Sequence, residues 1–180
     1  KKIIVALDLD NINKAIKLVK ELKKEVYAFK IGHEFFYNFG INGYKKIYNI
    51  CPRIFLDLKL HDIPNTVKKS IQGLISLPIK MLTIHTSGGK DMMMAAMEAV
   101  SGSEIKVFGV TALTSLNNDD TKHIFQRTSS EQVNAMLDLA EKAGIDGVVC
   151  SPHELELVSK RNLLSITPGI RLQESNDDQK

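Results

Sequence analysis

Short apolar runs rich in Val, Ile, Leu and Phe recur along the chain at residues 3–7, 26–31, 54–60, 81–85, 107–111, 147–151 and 163–167. The first five are centred roughly 25 residues apart, the period of a strand–helix unit. Runs that are apolar on both faces suit buried parallel strands covered by helices. The segments between them carry the 3.6-residue period. Ile12, Ala15, Ile16, Val19 and Leu22 form one apolar stripe, with Asn11 placed to cap it. Pro64 can open a helix whose inner face is Val67, Ile71, Leu74 and Ile75. Ser129-x-x-Gln132 reads as a capping box ahead of Val133, Met136, Leu137 and Ala140, and Gly144 can end that helix. Ser151-x-x-Glu154 reads as a second capping box. Met92, Met93, Met94 and Met97 read as the packed face of another helix.

Seven such units fit a barrel or a doubly wound open sheet. The open sheet announces itself with a glycine-rich first turn, whereas here the first strand runs into Asp8-Leu9-Asp10-Asn11, with no G-x-G-x-x-G and no Walker motif. The pattern therefore predicts an α/β protein, a (β/α)8 TIM barrel with about seven βα units and the eighth missing, as one domain over residues 1–180. In such a barrel chemistry is placed at the C-terminal strand ends. Those ends present Asp8, Lys30, the segment 57–62, His85-Thr86-Ser87, residues 111–115, Cys150-Ser151 and Thr167-Pro168-Gly169. The third strand is the most informative. Strand alternation puts Asp57 and Lys59 on one face, roughly 6.5–7 Å apart, and sends Leu56, Leu58 and Leu60 toward the helices. Two charges then face the barrel interior, where each ion costs several kcal/mol unless paired. Asp62 follows in the loop. An Asp-x-Lys-x-x-Asp alternation at a barrel mouth is better explained by chemistry than by a structural ion pair.

Composition narrows the field. With 43% hydrophobic and 25% charged residues the chain is not disordered. No run approaches the roughly 18 apolar residues of a membrane span, and no signal-peptide pattern follows Lys1-Lys2. Cys51 and Cys150 form no Cys-x-x-Cys, so a zinc module or disulfide scaffold is not expected and a reducing cytoplasm is. The net charge is only +3, the lysines are dispersed and there is no Trp, which argues against nucleic acid and leaves room for an anionic small molecule. His61 is expected to support its loop, and His85 to give structural support at the end of strand four. His33, His123 and His153 lack metal-ligand spacing and are expected at the surface. Cys150 reads as a small core residue, and Gly88-Gly89 as a tight strand-to-helix turn.

The segment Asp57-Leu58-Lys59-Leu60-His61-Asp62-Ile63-Pro64-Asn65-Thr66 closely resembles the central motif of the orotidine 5′-monophosphate decarboxylase family. The resemblance runs the length of the chain. It includes Val5-Ala6-Leu7-Asp8, Lys30-Ile31-Gly32, His85-Thr86-Ser87-Gly88-Gly89, Val110 to Ser115, Gly144 to Ser151, and Thr167-Pro168-Gly169-Ile170-Arg171. It implies decarboxylation of orotidine 5′-monophosphate (OMP) to uridine 5′-monophosphate (UMP) by a homodimer without metal or organic cofactor. Lys59 would protonate C6 of the pyrimidine and Asp57 would lie beside the substrate carboxylate. Asp62 would reach across the dimer interface, completing a Lys–Asp–Lys–Asp array with Lys30, and Thr66 would also act across it. Asp8 and Lys30 would hold the ribose hydroxyls, Thr114 would read the pyrimidine edge, and Arg171 and Gln179 would face the 5′-phosphate. The polar stretch 171–180 would form a lid over that phosphate.

The family's eighth strand, with its phosphate-clamping Gly-Arg pair, has no counterpart here. Strands one and seven are then expected to carry unpaired edges; either the chain continues beyond Lys180 or it is a true fragment, and a true fragment is expected to be unstable and inactive. Two other readings compete with the decarboxylase. One is a magnesium-using sugar-phosphate barrel relative that shares Asp-x-Lys-x-x-Asp but lacks the Ile63-Pro64-Asn65-Thr66 continuation. The other is a non-enzymatic remnant barrel that binds a nucleotide or a partner.

Overall fold

The computed structural model describes residues 2–113 and 115–170. Seven parallel strands follow one another in a single sheet, each hydrogen-bonded to the next in chain order. They are β1 (Ile4–Ala6), β2 (Ala28–Ile31), β3 (Ile54–Leu60), β4 (Met81–His85), β5 (Lys106–Val110), β6 (Gly147–Val149) and β7 (Leu164–Ile166). All seven coincide with the apolar runs, although β1, β6 and β7 are three residues each and shorter than the runs predict. The helices are α1 (Ile12–Leu22), α2 (His33–Tyr48), α3 (Pro64–Leu74), α4 (Gly89–Val100), α5 (Asn118–Phe125), α6 (Ser129–Ala143) and α7 (Leu155–Ser159). Two helices, α5 and α6, fill the long interval between β5 and β6.

Local chemistry sets several of these boundaries. Asn11 Oδ1 accepts the amides of Asn13 and Lys14 at 2.9 and 3.2 Å, capping α1. Pro64 opens α3. Gly144 ends α6 in the left-handed region, at φ 71°. The capping box of α6 lies one residue before the expected Ser129. Thr128 is the cap, its Oγ1 accepts the Glu131 amide at 3.3 Å, and the Glu131 carboxylate takes the Thr128 amide at 2.9 Å. Gln132, expected in that box, is buried instead. Asn117 caps α5 in the same reciprocal way with Asp120. At Ser151 the expected pairing is present, the Glu154 carboxylate accepting the Ser151 amide at 3.0 Å. In α4, Met92 and Met93 are fully buried, while Met94 is exposed.

The outer faces of the strands carry the main core. Phe29, Ile31, Ile54, Leu56, Leu82, Ile84, Val107 and Val148 pack there against Val19, Phe35, Val67, Ile71, Met92 and Leu137 of the helices. A second, smaller core lies on the inner face, where Ala28, Phe55, Met81 and Phe108 form an apolar floor. Phe55 and Phe108 meet there edge to face, with centroids 6.2 Å apart. The sheet curls so far that residues 3–6 and residues 166–170 line the same interior cavity. The fold is thus the expected TIM barrel in seven-stranded form, with β1 and β7 as its edge strands among the described residues.

Candidate active site

Above the apolar floor the lumen becomes charged. Strand alternation carries Lys30, two residues beyond Ala28, and Asp57, two beyond Phe55, to the same inner face one storey higher. Asp8 reaches in from the loop after β1. Lys30 Nζ lies 3.2 Å from both carboxylate oxygens of Asp8 and 3.6 Å from Asp57 Oδ2. Lys59 Nζ lies 3.0 Å from the same Oδ2. The four groups form a chain of alternating sign, Asp8–Lys30–Asp57–Lys59, around an interior cavity of about 650 Å³. Asp57 is only 7% exposed, so two ammonium groups offset its desolvation. As expected, Leu56 and Leu58 pack on the helix side and Asp57 and Lys59 on the cavity side.

The strand that carries this pair is irregular. Pairing of β3 with β4 runs Phe55↔Met81 and Leu56↔Leu82, then resumes at Leu60↔Ile84. Three residues of β3, Asp57, Leu58 and Lys59, therefore face one residue of β4, Thr83. Lys59 takes φ 45°, a left-handed conformation rare for a residue with a side chain. Two side chains satisfy the backbone groups that the bulge releases. Thr83 Oγ1 accepts the Lys59 amide at 2.8 Å, and His33 Nε2 donates to the Leu58 carbonyl at 2.8 Å. Thr83 also donates to Asp57 Oδ1 at 2.9 Å. His33, expected as a bystander at the surface, is exposed but has this role, and Thr83 escaped the sequence reading altogether.

Gly32 is a third residue whose role the sequence did not disclose. A Cβ there would lie 2.9 Å from Lys30 Nζ and 3.1 Å from Asp8 Oδ1. The bare backbone at the start of α2 is what lets the outer ion pair form. Nearby, His61 and His85 stack with centroids 5.2 Å apart. Ser87 Oγ lies 2.6 Å from His85 Nδ1 and 3.5 Å from His61 Nε2. Burial, then His61, then Lys59 hold His85 below the usual histidine range. Cys150 lines the cavity wall, and burial, reinforced by Glu154, pushes its thiol up to about 11.

Two further expected site residues, Asp62 and Thr66, are not gathered here. Asp62 is exposed beyond β3, its Oδ1 accepting the Ile63 amide at 2.7 Å. Among the described residues it pairs with neither lysine of the array. Thr66 is exposed on the first turn of α3. Thr114, Arg171 and Gln179 lie outside the described residues. Among the described residues no group of three or more His, Cys, Asp or Glu could hold a metal ion, and no helix is long and apolar enough to cross a membrane.

Comparison with known proteins bears on this geometry. A protein from Ehrlichia chaffeensis named orotidine 5′-phosphate decarboxylase is 46% identical over 183 residues, spanning 99% of this chain and 79% of that relative. The crystal structure of orotidine 5′-phosphate decarboxylase from Lactobacillus acidophilus superposes with a TM-score of 0.81 at 38% identity, covering 95% of this chain and 82% of that one. The Methanocaldococcus jannaschii orotidine 5′-monophosphate decarboxylase, complexed with the inhibitor BMP, gives 0.81 at 25% identity over 96% of this chain and 79% of that one. The model of the orotidine 5′-phosphate decarboxylase / HUMPS family matches residues 1–180, and the chain belongs to that family.

Proposed function

We propose that this protein decarboxylates orotidine 5′-monophosphate to uridine 5′-monophosphate in pyrimidine biosynthesis, acting as a cytoplasmic homodimer without metal or organic cofactor, and that residues 1–180 form a single barrel domain. The observation that carries this reading is the array Asp8–Lys30–Asp57–Lys59 around one cavity. Breaking the bond from C6 to the carboxylate expels carbon dioxide and leaves an electron pair in the plane of the ring. No π-system delocalises that pair, so the site must stabilise a localised carbanion. A fixed ammonium does this electrostatically and then supplies the proton. Lys59 gives its proton to C6 and regains one from solvent. Asp57 holds the Lys59 ammonium in place by an ion pair at 3.0 Å.

Asp8 and Lys30, further along the array, hold the ribose hydroxyls. Thr114 reads the pyrimidine edge, and Arg171 and Gln179 bind the 5′-phosphate. That phosphate is remote from the reacting carbon, so its binding energy serves to order and orient the substrate. Asp62 and Thr66 of each subunit serve the partner's site. This accords with their exposure beside Ile63, an apolar residue 67% exposed at the same rim. The substrate is a free nucleotide, with no part played by nucleic acid or a membrane.

The test is a single-turnover reaction in D2O on the protein carrying this sequence, with OMP labelled at its carboxyl carbon. Release of labelled carbon dioxide with deuterium at C6 of the product is expected, and EDTA should not change the rate. No release, or release only with added magnesium, would refute the reading.

A further inference from the structure

We propose that Thr83 is a positioning residue, its single hydroxyl aiming the Lys59 ammonium by holding both the Lys59 backbone and the Asp57 carboxylate. The inference rests on the decarboxylase reading of the same site and adds a member to its machinery. Thr83 is 1% exposed and stands alone opposite the three residues of the β3 bulge. Its hydroxyl has one proton to give and lone pairs to accept, and both capacities are used. It donates to Asp57 Oδ1 at 2.9 Å and accepts from the Lys59 amide at 2.8 Å.

The two bonds have linked consequences. In a regular ladder the Lys59 amide would find a carbonyl of a neighbouring strand. The bulge removes that acceptor, and an unsatisfied buried amide would favour relaxation of the backbone. The hydroxyl takes the acceptor's place, so the left-handed conformation at Lys59 persists (φ 45°). The second bond occupies Oδ1 of Asp57 and leaves Oδ2 to the two lysines, at 3.0 and 3.6 Å. Backbone and carboxylate, the two supports of the Lys59 side chain, thus share one anchor. Among the described residues no other side chain bonds to Asp57 Oδ1 or to the Lys59 amide. Thr83 lies beneath the array rather than along the cavity lining, so it acts through Asp57 and Lys59 and not on substrate.

The test compares Thr83→Val, which keeps the volume and removes the hydroxyl, with Thr83→Ser, which keeps the hydroxyl. Turnover of OMP and hydrogen exchange at the Lys59 amide are measured in each. In Thr83→Val, kcat is expected to fall about 10- to 100-fold while KM stays within about threefold, because an ångström of misplacement costs rate more than binding. The Lys59 amide should exchange at least about tenfold faster. Thr83→Ser should restore both readouts to near wild type. Wild-type kcat in Thr83→Val, equal losses in the Ser and Val proteins, or an unchanged Lys59 exchange rate would overturn the proposal. If Thr83→Val does not fold, Thr83→Cys replaces it, with a weak donor of similar size and about a tenfold loss of kcat expected. If the wild-type protein releases no carbon dioxide, the decarboxylase reading fails on its own, and the exchange comparison still decides whether Thr83 holds Lys59.

Discussion

Lys59 Nζ rests 3.0 Å from Asp57 Oδ2 although the two residues sit two positions apart on one strand. In a regular strand such neighbours project in parallel, roughly 7 Å apart. The left-handed turn at Lys59 brings the ammonium back over the carboxylate. Among the described residues the Lys59 ammonium therefore has one ion-pair partner, Asp57, and it faces the cavity. Lys59→Ala is expected to lower turnover of OMP by at least about a thousandfold, since the proposed electrostatic stabiliser and proton source is removed. Binding of UMP should change by less than about tenfold. Paired measurements of single-turnover rate and calorimetric affinity check this, and substantial residual turnover would remove Lys59 as the proton donor.

Gly32→Ala separates site geometry from fold stability. The added methyl would press on Lys30 Nζ, the free end of a flexible side chain, and on a carboxylate oxygen of Asp8. The backbone there is extended at φ −95°, so alanine is not strained. Loss of the glycine cap should cost about 1 kcal/mol or less. The Lys30–Asp8 pair must open, however, and with it the ribose contacts proposed for that pair. KM for OMP is expected to rise about 5- to 50-fold with the urea midpoint little changed. A large stability loss with unchanged KM would mean that the pair plays no part in binding.

Much of this site is legible in the sequence because strand alternation is a simple rule. It places Asp57 and Lys59 on the inner face and Leu58 on the outer one, and the strand ends supply Asp8 and Lys30. The rule assumes a regular strand, so it is silent about a bulge. Thr83 sits in Met81-Leu82-Thr83-Ile84-His85, where a β-branched residue reads as strand filler. Only the shift in pairing shows that its hydroxyl is needed. His33 was hidden for the same reason, since its partner is a carbonyl released by that bulge. The one-residue displacement of the α6 cap has another cause: Thr128-x-x-Glu131 and Ser129-x-x-Gln132 are adjacent and chemically alike, and the buried position of Gln132 decides between them.

His85 makes stability depend on pH. Burial, His61 and Lys59 together disfavour its cation, so its titration in the folded protein lies below the ordinary value of 6.5. Below that value the unfolded chain takes up the proton first. Stability is present above about pH 6.5 and is lost as pH falls through the folded-state titration. Denaturant midpoints measured from about pH 7.5 down to about pH 5 should decline in the wild type and decline less in His85→Gln. Parallel declines in the two proteins would show that other groups carry the acid sensitivity.

A mixing experiment tests whether each site draws on two chains. Asp62 is exposed at the end of β3 and meets neither Lys30 nor Lys59 within its own chain. If Asp62 completes the array of a second subunit, Asp62→Ala and Lys59→Ala each inactivate both sites of a homodimer, for different reasons. In a heterodimer of the two, one site pairs an intact Lys59 with an intact Asp62, and the other lacks both. Random reassociation makes half the dimers mixed, each with one working site, so activity should recover to about a quarter of wild type. The recovery must depend on subunit exchange, appearing after dissociation and rejoining and not on simple mixing of stable dimers. Asp62→Ala with full activity, or no recovery once heterodimers are demonstrated by mass, would place Asp62 outside the site. Full recovery above one half could not come from a single working site per heterodimer and would equally contradict the shared arrangement.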